Sequence, residues 1–244
     1  MREEQFNEMV SLTAGRPAES LLTWAARRFG GRVAFASSLG AEDQVLTDLI
    51  ARVAPSTPMF TIDTGRLPQE TYDLLEDTSA RYGLAIEVLF PDPADVEPMV
   101  CRRGPNLFRR GVEDRKLCCH VRKVKPLQRR LAGLEAWICG LRREQAVTRQ
   151  SIQKIEWDEA FGLYKINPLA DWTEQQVWDY IRKNGVPYNS LHDQGYPSIG
   201  CAPCTRAVKP GEDLRAGRWW WENPEHKECG LHVKDGKIVS RRNA

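Results

Sequence analysis

Five of the seven cysteines in this 244-residue chain sit where thiols could act together: Cys118 beside Cys119 in KLCCHVRK, Cys201 and Cys204 in C-A-P-C, and Cys229 in KECGLH. Four thiolates from two distant segments can hold a metal centre if the segments converge. Zinc is one option, but its structural sites usually space the ligands of each pair two to four residues apart. Neighbouring side chains on a helix diverge by about 100°, whereas tetrahedral zinc needs its sulfurs within roughly 3.8 Å of one another. A [4Fe–4S] cube holds its sulfurs further apart and accepts that divergence better. C-A-P-C by itself also suits a thioredoxin-like redox pair, or two buried small residues. Cys101 and Cys139 read as a loop thiol and a buried strand thiol. Cys229 differs from all of these, because its stretch is too short and polar to bury it. His226, Lys227 and His232 around it favour the thiolate, although a solvated tail charge accounts equally for Lys227.

Charge narrows the partners. Lys plus Arg total 35 against 33 Asp plus Glu, a near balance that argues against a nucleic-acid coat. Locally the picture changes: residues 102 to 130 hold eleven Lys or Arg and two acids, Glu113 and Asp114. Such a run is either a solvated helical face or an anion site, and the cysteine pair inside it favours the second. No apolar run is long enough to cross a membrane, and MREEQFNEMV has neither the basic flank nor the apolar stretch of a signal peptide. The expectation is a cytoplasmic protein, in which clustered cysteines are metal ligands or redox groups rather than a disulfide framework.

The elements that must position these residues follow a βα pattern. RVAFASS reads as a strand, then a loop, then a helix carrying Val45, Leu46, Leu49, Ile50 and Val53 at helical spacing. PMFTID and AIEVLF read as two more strands with a helix between them that runs to about Tyr82, EAWICG as a buried strand ending near Gly140, and LYKI as a short strand. Thr173 and Gln176 form a capping box for a helix that should stop at Gly185, before Pro187. Strands alternating with helices predict an α/β fold with a mostly parallel sheet flanked by helices, binding its ligand beyond the carboxyl ends of the strands. SSLGAEDQ then lies where backbone N–H groups could meet a phosphate at a helix N-terminus. It lacks the Gly-Lys-Ser/Thr ending of a Walker A loop, so an ordinary strand-to-helix turn is the alternative. After Cys204 the periodicity is lost, which predicts a tail laid over the domain and mobile at its end. The expected division is residues 1–204 as the nucleotide-binding domain and 205–244 as the C-terminal segment.

Taken in order, SSLGAEDQ, DTGR, KLCCHVRKVKPL, GCAPCTRAVKPGEDLRAGRWWWE and KECGLH resemble the assimilatory adenylylsulfate (APS) reductases, the iron–sulfur branch of the PAPS reductase family, from about residue 30 to 232. The resemblance implies a Rossmann-like fold of the adenine nucleotide alpha hydrolase type. It implies that Cys118, Cys119, Cys201 and Cys204 ligate a [4Fe–4S] cluster and that Cys229 is the nucleophile. Arg149, Arg215 and Arg218 would grip the phosphosulfate, with Lys123 between cluster and substrate and His232 offering charge to the sulfate. Ser37, Ser38, Leu39 and Gly40 would form the pyrophosphatase-like loop, and Thr64 and Gly140 would hold the nucleotide. The activity implied is reduction of APS to sulfite and AMP through a Cys229 thiosulfonate, in sulfate assimilation and cysteine biosynthesis, with thioredoxin or glutaredoxin as reductant. No nucleic-acid or membrane partner is expected; the oligomeric state is open, a homo-oligomer being one option.

Overall fold

The computed structural model describes residues 2–145 and 149–223 of the chain. Six strands form one sheet: β1 (Val33–Ala36), β2 (Met59–Ile62), β3 (Glu87–Leu89), β4 (Ala136–Ile138), β5 (Ile155–Asp158) and β6 (Leu163–Ile166), in the order β3-β2-β1-β4-β6-β5. The helices are α1 (Arg2–Thr13), α2 (Ala18–Phe29), α3 (Ala41–Val53), α4 (Gln69–Tyr82), α5 (Pro93–Arg103), α6 (Val112–Cys119), α7 (Lys125–Leu131) and α8 (Glu174–Asn184).

Side chains alternate across the pleat, so β1, β2, β4 and β6 each feed two cores. Val33, Phe35, Ala136, Ile138 and Ile166 pack on one face with Leu21 and Leu22 of α2, Leu46 and Leu49 of α3, and Val177 and Ile181 of α8. Ala34, Phe60, Leu89 and Trp137 pack on the other face with Leu127 and Leu131 of α7. Burial on both faces explains why these strands are short continuous apolar runs. The expected α/β architecture therefore holds, with one departure at an edge. β5 pairs antiparallel with β6, Ile155 opposite Ile166 and Asp158 opposite Leu163. Only residues 159–162 connect the two strands, too few for a parallel crossover, and Gly162 closes the turn at φ +69°.

α8 begins with the expected capping box: Gln176 N donates to Thr173 Oγ1 at 3.1 Å, and Thr173 N donates to Gln176 Oε1 at 2.7 Å. It ends at Gly185 in the left-handed region, where a glycine costs least. Cys101 is not on a loop: it is exposed on α5, which Asp92 caps by accepting from Ala94 N at 2.9 Å. Among the described residues no helix is long and apolar enough to cross a membrane.

The strand order reverses between β1 and β4, because β2 and β3 lie on one side of β1 while β4 and β6 lie on the other. The loops that leave the carboxyl ends of β1 and β4 face each other at this switch point, the usual ligand site of such sheets. Residues 205–223 add a third apolar cluster, in which Trp219 packs with Phe108, Met99, Cys118 and Cys204.

Candidate active site

A cavity of about 690 Å³ opens at the switch point. Ser37, Ser38 and Gly40 from the loop after β1 form one wall, and Gly140, Arg142 and Arg149 from the segment after β4 form the opposite one. Leu39 does not line it: its side chain is buried in the core and its backbone adopts φ +59°. This left-handed residue turns the loop into α3, with Leu39 N donating to Ser37 Oγ at 3.1 Å. Gly40 supplies no capping side chain, which leaves the first-turn N–H groups of α3 to an anion.

Asp43, in the first turn of α3, joins the two walls. Its Oδ2 accepts from Ser38 N and Ser38 Oγ, each at 2.6 Å, and its Oδ1 accepts from Gly140 N at 3.0 Å. A Cβ on Gly140 would stand 2.3 Å from that Oδ1, so only glycine lets the two loops close. Burial pushes the Asp43 carboxyl up from its ordinary 3.8 to about 6, against the pull of the Ser38 and Gly140 hydrogen bonds. Between those pH values the folded chain holds more protons than the unfolded one, so this group makes stability fall as pH rises from about 4 to 6. The loss is on the order of 3 kcal/mol. Asp43→Asn cannot ionise, and urea titrations across that range should show a flatter stability profile than the wild type. An unchanged slope would contradict the assignment.

The basic residues converge on the same cavity. Lys123, Arg149, Arg215 and Arg218 all line it, as do Arg142 and His192. Gln145 links its wall, donating to Gly140 O at 3.2 Å and accepting from Arg149 Nη1 at 2.6 Å. Arg142 pairs with Glu42 at 2.7 Å. Arg218 donates to Ile199 O at 3.1 Å, and its guanidinium fills the space where a side chain at Gly200 would project. Both ring nitrogens of His192 are buried without a hydrogen-bond partner, and burial holds its pKa below the ordinary value.

The Asp63–Arg66 turn after β2 carries the cavity wall to the cysteines. Asp63 Oδ1 accepts from Gly65 N at 2.7 Å and from Tyr72 Oη at 3.0 Å, and Gly65 has φ +70°. Thr64 lines the cavity, lies 3.3 Å through Oγ1 from Cys201 Sγ, and accepts through its carbonyl from Arg122 Nη1 at 2.8 Å. Cys201 reaches the cavity itself, whereas Cys118, Cys119 and Cys204 lie behind it in the third apolar cluster.

The two cysteine pairs come from short, irregular segments. α6 ends on Cys118 and Cys119, and the chain continues as a π-helical turn, His120–Val124, before α7; such turns are frequent at functional sites. C-A-P-C forms a 3₁₀ turn in which Cys204 N donates to Cys201 O at 2.9 Å. Burial pushes the thiols of Cys118 and Cys204 up, the latter to about 12, with Arg122 and Arg66 pulling Cys118 back, and Arg218 and Arg66 pulling Cys204. Four thiols gathered in one cluster with arginines around them suit an anionic metal–thiolate centre, because buried thiolates need positive charge nearby. Among the described residues no group of three or more His, Cys, Asp or Glu that could hold a metal ion is found, so the fit to such a centre rests on the chemistry of the donor set and on the four cysteines sharing one apolar cluster.

Residues 205–223 fasten this site. Arg206 N donates to Gly217 O at 3.0 Å, and Thr205 bridges to Arg218. Two guanidiniums lie over the Trp219 ring, Arg115 at 4.7 Å and Arg218 at 4.6 Å. Arg115 is fully buried and ion-pairs with Glu222 at 2.8 Å.

Of the expected site residues, Ser37, Ser38, Gly40, Thr64, Lys123, Gly140, Arg149, Arg215, Arg218 and Cys201 share the cavity. Cys229 and His232 lie outside the described residues, as does the tail end expected to be mobile. Asp43, Glu42, Arg142, His192 and Arg66 were not among the residues singled out from sequence. Asp43 and Glu42 left a trace there as the two acids of SSLGAEDQ, and Arg66 as the last residue of DTGR.

Residues 32–207 match the family model described as the phosphoadenosine phosphosulfate reductase domain. The chain is 58% identical over 203 residues to the adenosine 5'-phosphosulfate reductase of Allochromatium vinosum, covering 83% of this chain and 79% of that protein. It is 53% identical over 202 residues to the enzyme of the same name from Burkholderia cepacia, covering 83% and 81%. Among solved structures, it is similar to the phosphoadenylyl-sulfate (PAPS) reductase of Candida auris in its phosphate complex, with a TM-score of 0.71 and 30% identity over 84% of this chain and 97% of that one.

Proposed function

The chain belongs to the phosphoadenosine phosphosulfate reductase family, and from that premise we propose that it is an oxidoreductase that converts adenosine 5'-phosphosulfate to sulfite and AMP in sulfate assimilation. The observation that carries this reading is one cavity shared by the Ser37–Gly40 loop, by Lys123, Arg149, Arg215 and Arg218, and by Cys201 of the four-cysteine cluster. The relatives named for APS rather than PAPS, at 53–58% identity, support the choice of substrate.

The chain's own residues divide the work. The loop and the first turn of α3 receive the nucleotide's phosphate, and the arginines and Lys123 neutralise the sulfate oxygens that would otherwise repel a thiolate. Cys229 attacks the sulfate sulfur as a thiolate. The bond from that sulfur to the phosphate oxygen breaks, and AMP leaves with the electron pair, its new charge met by the same fixed donors. The product is a Cys229 thiosulfonate. A dithiol protein, thioredoxin or glutaredoxin, then attacks the Cys229 sulfur and releases sulfite. Its second thiol displaces Cys229, so two electrons pass from dithiol to substrate sulfur and the partner leaves as a disulfide.

Cys118, Cys119, Cys201 and Cys204 would hold a [4Fe–4S] cluster. That group, when bound, would supply an electrostatic or structural role near the sulfate, with no electron required from it. On this reading residues 1–204 bind the nucleotide, residues 205–244 carry the nucleophile, and the protein works in the cytoplasm. Incubating the purified protein with thioredoxin and either APS or PAPS tests the proposal. Sulfite release from APS is expected to be the faster; a preference for PAPS would overturn the substrate, and no release from either would overturn the activity.

A further inference from the structure

We propose that Arg66 is a positioning residue for the four-cysteine centre, a half-buried counter-charge and hydrogen-bond donor for the sulfur-bound group. The inference rests on the iron–sulfur reading above. Arg66 follows the turn that lines the nucleotide cavity, yet its side chain serves the cysteines. Its guanidinium lies 5.0 Å over the ring of Phe108, which is buried in the same apolar cluster as Cys118 and Cys204. Its carbonyl accepts from Ala202 N at 2.8 Å, inside the C-A-P-C turn.

The unexplained feature is Nη1, which is buried without a hydrogen-bond partner. A buried donor left unpaired is unfavourable by about 1–3 kcal/mol, and a guanidinium more than a neutral group. Elsewhere at the site Arg122 directs its Nη1 to Thr64 O. A set of four thiolates supplies what Arg66 lacks: negative charge and sulfur acceptors. Arg66 would therefore retain the centre without touching substrate.

Chelator-driven bleaching of the visible iron–sulfur absorbance, in the purified holoprotein, tests this apart from activity. Arg66→Gln is expected to bleach about tenfold faster than the wild type, the equivalent of one lost charge-assisted hydrogen bond, and Arg66→Lys to fall between them. Arg109→Gln is the control, because Arg109 lies over the same Phe108 ring at 5.9 Å but is exposed; it should bleach at the wild-type rate. Bleaching of Arg66→Gln at the wild-type rate, or of Arg109→Gln as fast as Arg66→Gln, would overturn the proposal alone. If Arg66→Gln fails to fold, Arg66→Lys decides: a rate equal to the wild type overturns it. A wild-type chain purified without iron and sulfide would overturn the iron–sulfur reading and this inference with it.

Discussion

Cys229→Ser is expected to abolish sulfite release from APS, by roughly a thousandfold or more, while nucleotide binding persists. A serine hydroxyl stays protonated at neutral pH and has no base assigned to it here, whereas a thiol is partly ionised and intrinsically nucleophilic. The described residues add a reason of their own for assigning the chemistry to Cys229. Two other thiols line the cavity, Cys139 and Cys201. Burial pushes Cys139 up to about 12, and it makes its hydrogen bond to Asn167 Oδ1 at 3.3 Å, so it stays a protonated, structural thiol. Cys201 sits beside Thr64 within the four-thiol cluster, where metal ligation would claim it. Equilibrium binding of AMP separates loss of chemistry from loss of fold: the variant should bind as the wild type does. Retention of more than a tenth of the wild-type rate would show that another group is the nucleophile.

Glu222→Gln is expected to destabilise the protein by about 3–5 kcal/mol, because it leaves a buried guanidinium without the carboxylate that neutralises it. Arg115 and Glu222 have side-chain exposures of 0% and 3%, and the contact is bidentate, Nε to Oε1 at 3.0 Å and Nη2 to Oε2 at 2.8 Å. The pair ties residues 205–223 to the helix that carries Cys118 and Cys119. Its loss would also loosen Trp219 and, through the Trp219 ring, Arg218 at the cavity, raising KM for APS. Glu113→Gln is the matched control. Glu113 pairs with Lys116 at 3.3 Å, but with 85% and 57% of the side chains exposed, and such pairs contribute about 1 kcal/mol or less. Urea unfolding of the two variants checks the contrast, and equal midpoints would contradict it.

What could be read from the sequence was local. The loop Ser37–Gly40, the capping box of α8 and the αL stop at Gly185 depend on residue types within a few positions of one another, and the structure has them where expected. The cysteine pairs were legible because thiols are rare and their spacing is diagnostic. Other features depend on long separations that no local pattern encodes. Asp43 meets Gly140 across 97 positions, and Arg115 meets Glu222 across 107. Arg66 stood in the sequence only as the last residue of the DTGR motif; that its guanidinium lies over Phe108 is decided by packing. β5 was missed because an edge strand carrying Glu156 and Asp158 lacks the apolar run of the central strands.

Peptide mass spectrometry of the wild-type protein, incubated with APS and no reductant, puts the proposed chemistry to its most direct test. One sulfonate should appear on the peptide containing Cys229, with one equivalent of AMP released, and thioredoxin should remove it as sulfite. An adduct on Cys139 or Cys204, or AMP released with no adduct on any cysteine, would contradict a reaction carried by Cys229.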